Sequence, residues 1–189
     1  MCSSTARHEQ GHRVKVVGFC GPSGVGKTTL VEQVIAGLKA QGHRVSVIKH
    51  AHKRFDIDRP GKDSFRHREA GASEVLVASS QRLALLREYD IEGLPSVHQL
   101  LAELSPVDWV LIEGFKHAGL PKIEVWRAAL GQAPLYPDDP FVTAIATDQP
   151  GALPQPTTRP VFDLAQPADL VLHLQQSGER YHYNPTHHG

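Results

Sequence analysis

The chain has 189 residues, enough for one well-buried domain and short for two. Its 20 lysines and arginines balance 20 aspartates and glutamates, so no global field gathers nucleic acid or an anionic membrane, and nucleic acid is not the expected partner. With 40% hydrophobic residues but no apolar run near the ~18 that a membrane span needs, and with Cys2 and Cys20 poorly placed for a structural disulfide, the chain reads as a soluble protein of a reducing cytoplasm.

Residues 1–13 are polar and read as a flexible extension rather than a signal peptide or anchor. Residues 14–19 are β-branched and apolar, as expected of a strand covered on both sheet faces. After a glycine-rich turn, Leu30, Val31, Val34, Ile35 and Leu38 recur at helical spacing up to a stop near Gly42. Residues 44–49 predict a second strand, expected to neighbour the first, and Asp63 or Ser64 caps a short helix that Gly71 closes. Residues 75–78 and 83–86 flank a Ser-Ser-Gln turn and predict a hairpin. A helix over 94–104 ends before Pro106, and strands are expected at 109–112, 122–126, 141–146 and 161–164. Residues 168–176 read as a closing helix, although their pattern also permits a strand, and the polar residues 177–189 read as a flexible tail. The expected architecture is therefore α/β: a mostly parallel twisted sheet with helices on both faces and a small hairpin insertion, over a single domain at 14–176.

Gly21-x-x-x-x-Gly26-Lys27-Thr28 satisfies the P-loop pattern, with a buried strand before it and an amphipathic helix after it. Four residues between the glycines let successive N–H groups of Gly21, Ser23, Gly24, Val25 and Gly26 wrap a phosphate, and the following helix adds its positive end. Lys27 then reaches the β- and γ-phosphates, the Thr28 hydroxyl ligates Mg²⁺, and Thr29 continues the cradle. Such a site also needs a carboxylate on a neighbouring strand, and Glu113, closing the run Trp109-Val110-Leu111-Ile112, is the candidate; the alternative is a surface acid that merely opens a loop.

The loop over residues 50–64 is dense in chemistry. Asp56 and Asp58, at i and i+2, present paired carboxylates to a metal if the segment is extended, and Lys49, Lys53, Arg54, Lys62 and Arg66 supply cations for phosphate oxygens. The competing reading is a solvated charged loop, and His50 with His52 makes only half a zinc site. Asp148, ending a late apolar strand, is placed to accept hydrogen bonds from guanine N1 and N2, or else simply forms the turn before Gln149-Pro150-Gly151; Asn-Lys-x-Asp is absent. No glutamine or arginine stands out to orient water or neutralise transition-state charge, so intrinsic hydrolysis should be slow.

These blocks together resemble the molybdopterin-guanine dinucleotide biosynthesis protein B family. The resemblance rests on the loop at 21–29, Ile48-Lys49-His50-x-His52, Asp56-x-Asp58-x-Pro60-Gly61-Lys62-Asp63-Ser64, Ala70-Gly71-Ala72, Glu113-Gly114-Phe115-Lys116, Pro121-Lys122-Ile123 and Thr147-Asp148. It implies the P-loop NTPase fold, binding of GTP with Mg²⁺, and support for attaching GMP to molybdopterin, with the transfer chemistry residing in a separate guanylyltransferase partner. It also implies a homodimer, and makes Lys116 and His117 candidate ligand or interface residues. The rivals are a small-molecule kinase using the polar loop as acceptor site and a GTP-dependent metallochaperone using His50, His52 and the tail histidines.

Overall fold

The computed structural model describes residues 14–51, 55–89, 93 and 95–184. The chain divides into two compact units, residues 1–50 with 97–189, and residues 51–96.

The first unit is built on a six-stranded parallel sheet. Its strands are β1 (Lys15–Cys20), β2 (Val45–Lys49), β5 (Trp109–Glu113), β6 (Lys122–Trp126), β7 (Val142–Thr147) and β8 (Val161–Asp163), in the order β2-β5-β1-β6-β7-β8. The second strand does not neighbour the first: β5 lies between them, paired to both through Trp109, Val110, Leu111, Ile112 and Glu113. All these runs are similarly apolar, so composition alone does not rank them as neighbours. The consequence is functional, because the central position brings Glu113 opposite Phe19, at the threshold of the glycine loop.

Alternation along β1 and β5 sends side chains to two cores. Val17, Phe19, Trp109 and Leu111 pack with Leu30, Val31, Val34 and Leu38 of α1 (Lys27–Ala40) and with Leu170, Val171 and Leu174 of α4 (Pro167–Gln176). Val16, Val110 and Ile112 face the other way, toward Val97 of α3 (Val97–Ala102). Helices α1 and α4 touch closely at Gly37, where an added Cβ would lie 2.7 Å from Val171 Cγ2. Pro at the N-terminus of α4 fits a helix start, where no N–H is missed.

Order continues past Gln176, where the sequence suggested a flexible tail. Residues Gly178–Tyr181 form a 3₁₀ turn, Tyr181 is fully buried with its ring 5.9 Å from that of Trp109, and the Tyr183 amide donates to the Val14 carbonyl at 2.9 Å. Burying a tyrosine this completely gains about 2 kcal/mol, enough to order a short segment.

The second unit contains α2 (Asp63–Glu69) and an antiparallel hairpin of β3 (Glu74–Ala78) and β4 (Leu83–Arg87), with Glu74 opposite Arg87. The Ser79 hydroxyl accepts from the amides of Gln81 and Arg82 and stabilises the turn. Among the described residues no helix is long and apolar enough to cross a membrane.

Candidate functional site

Cys20 ends β1 and the chain turns at once into the glycine loop. Gly21 has φ +134°, and a Cβ there would sit 2.3 Å from the Val125 carbonyl oxygen; only glycine passes this close to β6. Gly26, at φ +106°, caps α1, and its carbonyl accepts from the Leu30 amide at 3.0 Å. Between them Val25 is buried and anchors the loop in the core. Ser23 and Gly24 stay exposed at the tip, and Thr28 and Thr29 occupy the first turn of α1.

The Lys27 ammonium folds back over this loop, donating to the Gly21 carbonyl at 2.9 Å and the Pro22 carbonyl at 2.7 Å. Burial holds its pKa below the usual lysine range, while Glu113 opposes that shift. A phosphate arriving here would meet a cation already partly desolvated and able to exchange two carbonyls for phosphate oxygens.

Glu113 ends β5 beside it. Its Oε1 accepts from the Thr28 hydroxyl at 2.7 Å and its Oε2 lies 3.4 Å from Lys49 Nζ. A hydroxyl and a carboxylate within hydrogen-bond distance at the mouth of a glycine cradle are hard oxygen donors suited to Mg²⁺, so the residues present fit the ion. The chain leaves the sheet through two left-handed residues, Gly114 at φ +104° and Phe115 at φ +49°. A Cβ at Gly114 would lie 2.7 Å from His50 Cβ, and the His50 and Phe115 rings stand 5.1 Å apart. Positive φ at a bulky phenylalanine is strained, and such strain gathers at functional turns.

Asp148, the candidate base reader, follows β7 and is held by Arg127: Nη1 donates to Asp148 Oδ2 at 2.7 Å, while Nε donates to the Val25 carbonyl of the glycine loop at 2.9 Å. An arginine that the sequence did not single out thus stands at the loop. Nothing in its local pattern marks it; the available signal is position, since Arg127 follows β6 and the loops after parallel strands line the ligand crevice.

Asp56 and Asp58 belong to the second unit, where the cation they face is Arg68. Its Nη2 bonds Asp56 Oδ2 at 3.0 Å, its Nε lies 3.3 Å from Asp58 Oδ2, and its Nη1 bonds Glu88 at 2.7 Å. The Asp58 amide and Arg68 hold the Asp56 carboxyl below the usual range. Ser64 adds a hydroxyl to Asp58 Oδ1 at 2.8 Å. Of the loop's other candidates, His52, Lys53 and Arg54 lie outside the described residues.

The family model described as MobB, molybdopterin guanine dinucleotide synthesis protein B, matches residues 16–148. The molybdopterin-guanine dinucleotide biosynthesis adapter protein of Escherichia coli K12 is 41% identical over 140 residues, covering 72% of this chain and 80% of that protein. The protein of the same description from Haemophilus influenzae is 41% identical over 142 residues, covering 74% of this chain and 78% of its own length. The crystal structure of Bacillus subtilis MobB superposes with a TM-score of 0.69 at 26% identity, covering 86% of this chain and 97% of that one. With the family model spanning residues 16–148, relatives 41% identical over most of the chain, and a solved structure of the same description superposing over 86% of it, the chain belongs to the molybdopterin guanine dinucleotide synthesis protein B family.

Proposed function

We propose that this protein binds GTP with Mg²⁺ and serves as an adapter in molybdopterin-guanine dinucleotide biosynthesis, supporting attachment of GMP to molybdopterin by a separate guanylyltransferase. The observation that carries the reading is the Thr28 to Glu113 hydrogen bond at the mouth of the glycine loop, beside the folded-back Lys27 ammonium. Backbone amides at Gly21, Ser23, Gly24, Val25 and Gly26 would cradle the phosphates, Lys27 would neutralise them, Thr29 would extend the cradle into α1, and Thr28 with Glu113 would hold the metal. Asp148 would accept from guanine N1 and N2. The relatives' description as adapters supports a role in delivery and positioning rather than in bond formation.

Slow hydrolysis fits this role. Arg127 commits two of its nitrogens to Val25 and Asp148, which keeps them from transition-state charge on a γ-phosphate. In this reading the protein works in the cytoplasm as a homodimer, presenting guanine nucleotide to the partner enzyme and its pterin substrate.

Titration of GTP, ATP and molybdopterin against the purified protein, alone and with the guanylyltransferase, tests the assignment. GTP binding that requires Mg²⁺ and is abolished by Lys27→Ala is the expected result. Equal GTP affinity in parent and K27A would remove the glycine loop as the phosphate site.

A further inference from the structure

Arg127 and Asp148 are brought together by register. Strands β6 and β7 pair in parallel with Trp126 opposite Thr147, so the next residue of each strand leaves the sheet at the same level. The Arg127 guanidinium fills the space between that carboxylate and the glycine loop. One side donates to Asp148 Oδ2 at 2.7 Å, the other to the Val25 carbonyl at 2.9 Å, and Nη2 lies 3.7 Å from where a Cβ on Gly26 would stand.

We propose that Arg127 is a specificity-determining positioning residue: it fastens the base-reading carboxylate of Asp148 to the phosphate loop, so that the protein sets the span between base and phosphates. The proposal deepens the reading of Asp148 as guanine acceptor and rests on it. Base discrimination by one carboxylate depends on placement. Guanine offers two donors, N1–H and N2–H, on the edge where adenine offers an acceptor at N1. The carboxylate therefore favours guanine only if it meets that edge when the phosphates are seated in the loop.

The ion pair alone would be a weak device. Both side chains are about one-third exposed, at 35% and 33%, and exposed pairs contribute little. The second bond, to the Val25 carbonyl 102 residues before Arg127, makes the guanidinium a strut between the glycine loop and the end of β7. Its planar array of donors permits two charge-assisted bonds in different directions. A lysine ammonium at the end of a flexible stem would not hold both partners in one geometry.

Arg127 leaves the reader competent. A carboxylate has roughly four lone-pair sites, of which Arg127 engages one on Oδ2. The Thr147 hydroxyl lies 3.5 Å from Oδ1, at the edge of hydrogen bonding. Acceptor capacity for both guanine donors remains.

The test is the GTP:ATP affinity ratio, by calorimetric titration in Mg²⁺, for the parent, R127Q, R127K, D148A and the R127Q/D148A double variant. The expected result is a ratio lowered about tenfold in R127Q and in R127K, and a double variant no less selective than D148A, because both act through one linkage. R127K also covers the case in which R127Q fails to fold. If the R127 variants weaken GTP and ATP equally and keep the ratio while D148A loses it, Arg127 only supports the loop and the proposal falls, while guanine reading by Asp148 stands. If D148A keeps the parent's ratio, both fall.

Discussion

The Thr28 hydroxyl donates to Glu113 Oε1 at 2.7 Å across 85 residues of sequence. Thr28 comes from the first turn of α1 and Glu113 from the last position of β5, and the parallel pairing of β1 with β5 aligns them. Both are oxygen donors that can turn to one Mg²⁺, so the hydrogen bond marks where the ion would enter. Glu113→Gln keeps the shape and removes the charge. The half-saturating Mg²⁺ concentration for GTP binding should rise about 10- to 100-fold. A Mg²⁺ titration at fixed GTP measures it, and an unchanged requirement would place the metal elsewhere.

Two of the loop's three glycines, Gly21 and Gly24, respond differently to a methyl group. At Gly24, φ is +78° but no atom of the described residues lies within 4 Å of an added Cβ, so Gly24→Ala should cost only the left-handed backbone penalty, about 1–2 kcal/mol. At Gly21 the same methyl would lie 2.3 Å from the Val125 carbonyl oxygen, a main-chain atom of the sheet. Relief requires parting β1 from β6, so Gly21→Ala should be several-fold more destabilising. Denaturant unfolding of the two variants compares them; equal losses would contradict the close approach described here.

The sheet and its helices were legible because each announces itself locally: alternating or continuous apolar runs, a helical repeat from Leu30 to Leu38, and a loop whose glycines sit where positive φ is needed. What the pattern could not carry was adjacency. The insertion of β5 between β1 and β2 is a property of the tertiary fold, since three similar apolar strands pair equally well on paper. Arg127 was hidden for the same reason, its two partners lying 21 and 102 residues away. Tyr181 was hidden by its polar surroundings, Gly-Glu-Arg-Tyr, in which a single aromatic ring packs against Trp109. The charges of the second unit have a partner that spacing alone does not reveal, because Asp56 and Asp58 at metal-like spacing face the guanidinium of Arg68.

Glu124 carries the order of the loop that follows β6. Its side chain is buried, and its two oxygens accept from the amides of Leu135 and Tyr136, each at 2.7 Å. Burial raises its pKa and those two amides oppose the shift. Glu124→Ala would leave two main-chain donors without partners. The expected loss is about 2–4 kcal/mol, with Glu124→Gln losing less because its amide oxygen still accepts. Equilibrium unfolding reads both variants; a loss below 1 kcal/mol for alanine, roughly one ordinary hydrogen bond, would show that water replaces the carboxylate there.

His173 gives the fold a dependence on acid. It lies on α4 with its ring 5.0 Å from that of Phe162, and its Nε2 is buried without a hydrogen-bond partner among the described residues. Desolvation lowers its pKa from 6.5, and the Arg180 charge lowers it further. The unfolded imidazole therefore takes up a proton as pH falls through 6.5, before the folded one does. In that window the unfolded chain binds more protons, so stability is full above 6.5 and declines on acidification toward the lower folded pKa. His173→Phe keeps an aromatic ring against Phe162 and removes the titration. Urea midpoints measured from about pH 7.5 down to about pH 5 should fall less steeply in the variant than in the parent, since this interval brackets ordinary histidine titration. Parallel slopes would assign the acid sensitivity to other groups and leave His173 a packing residue only.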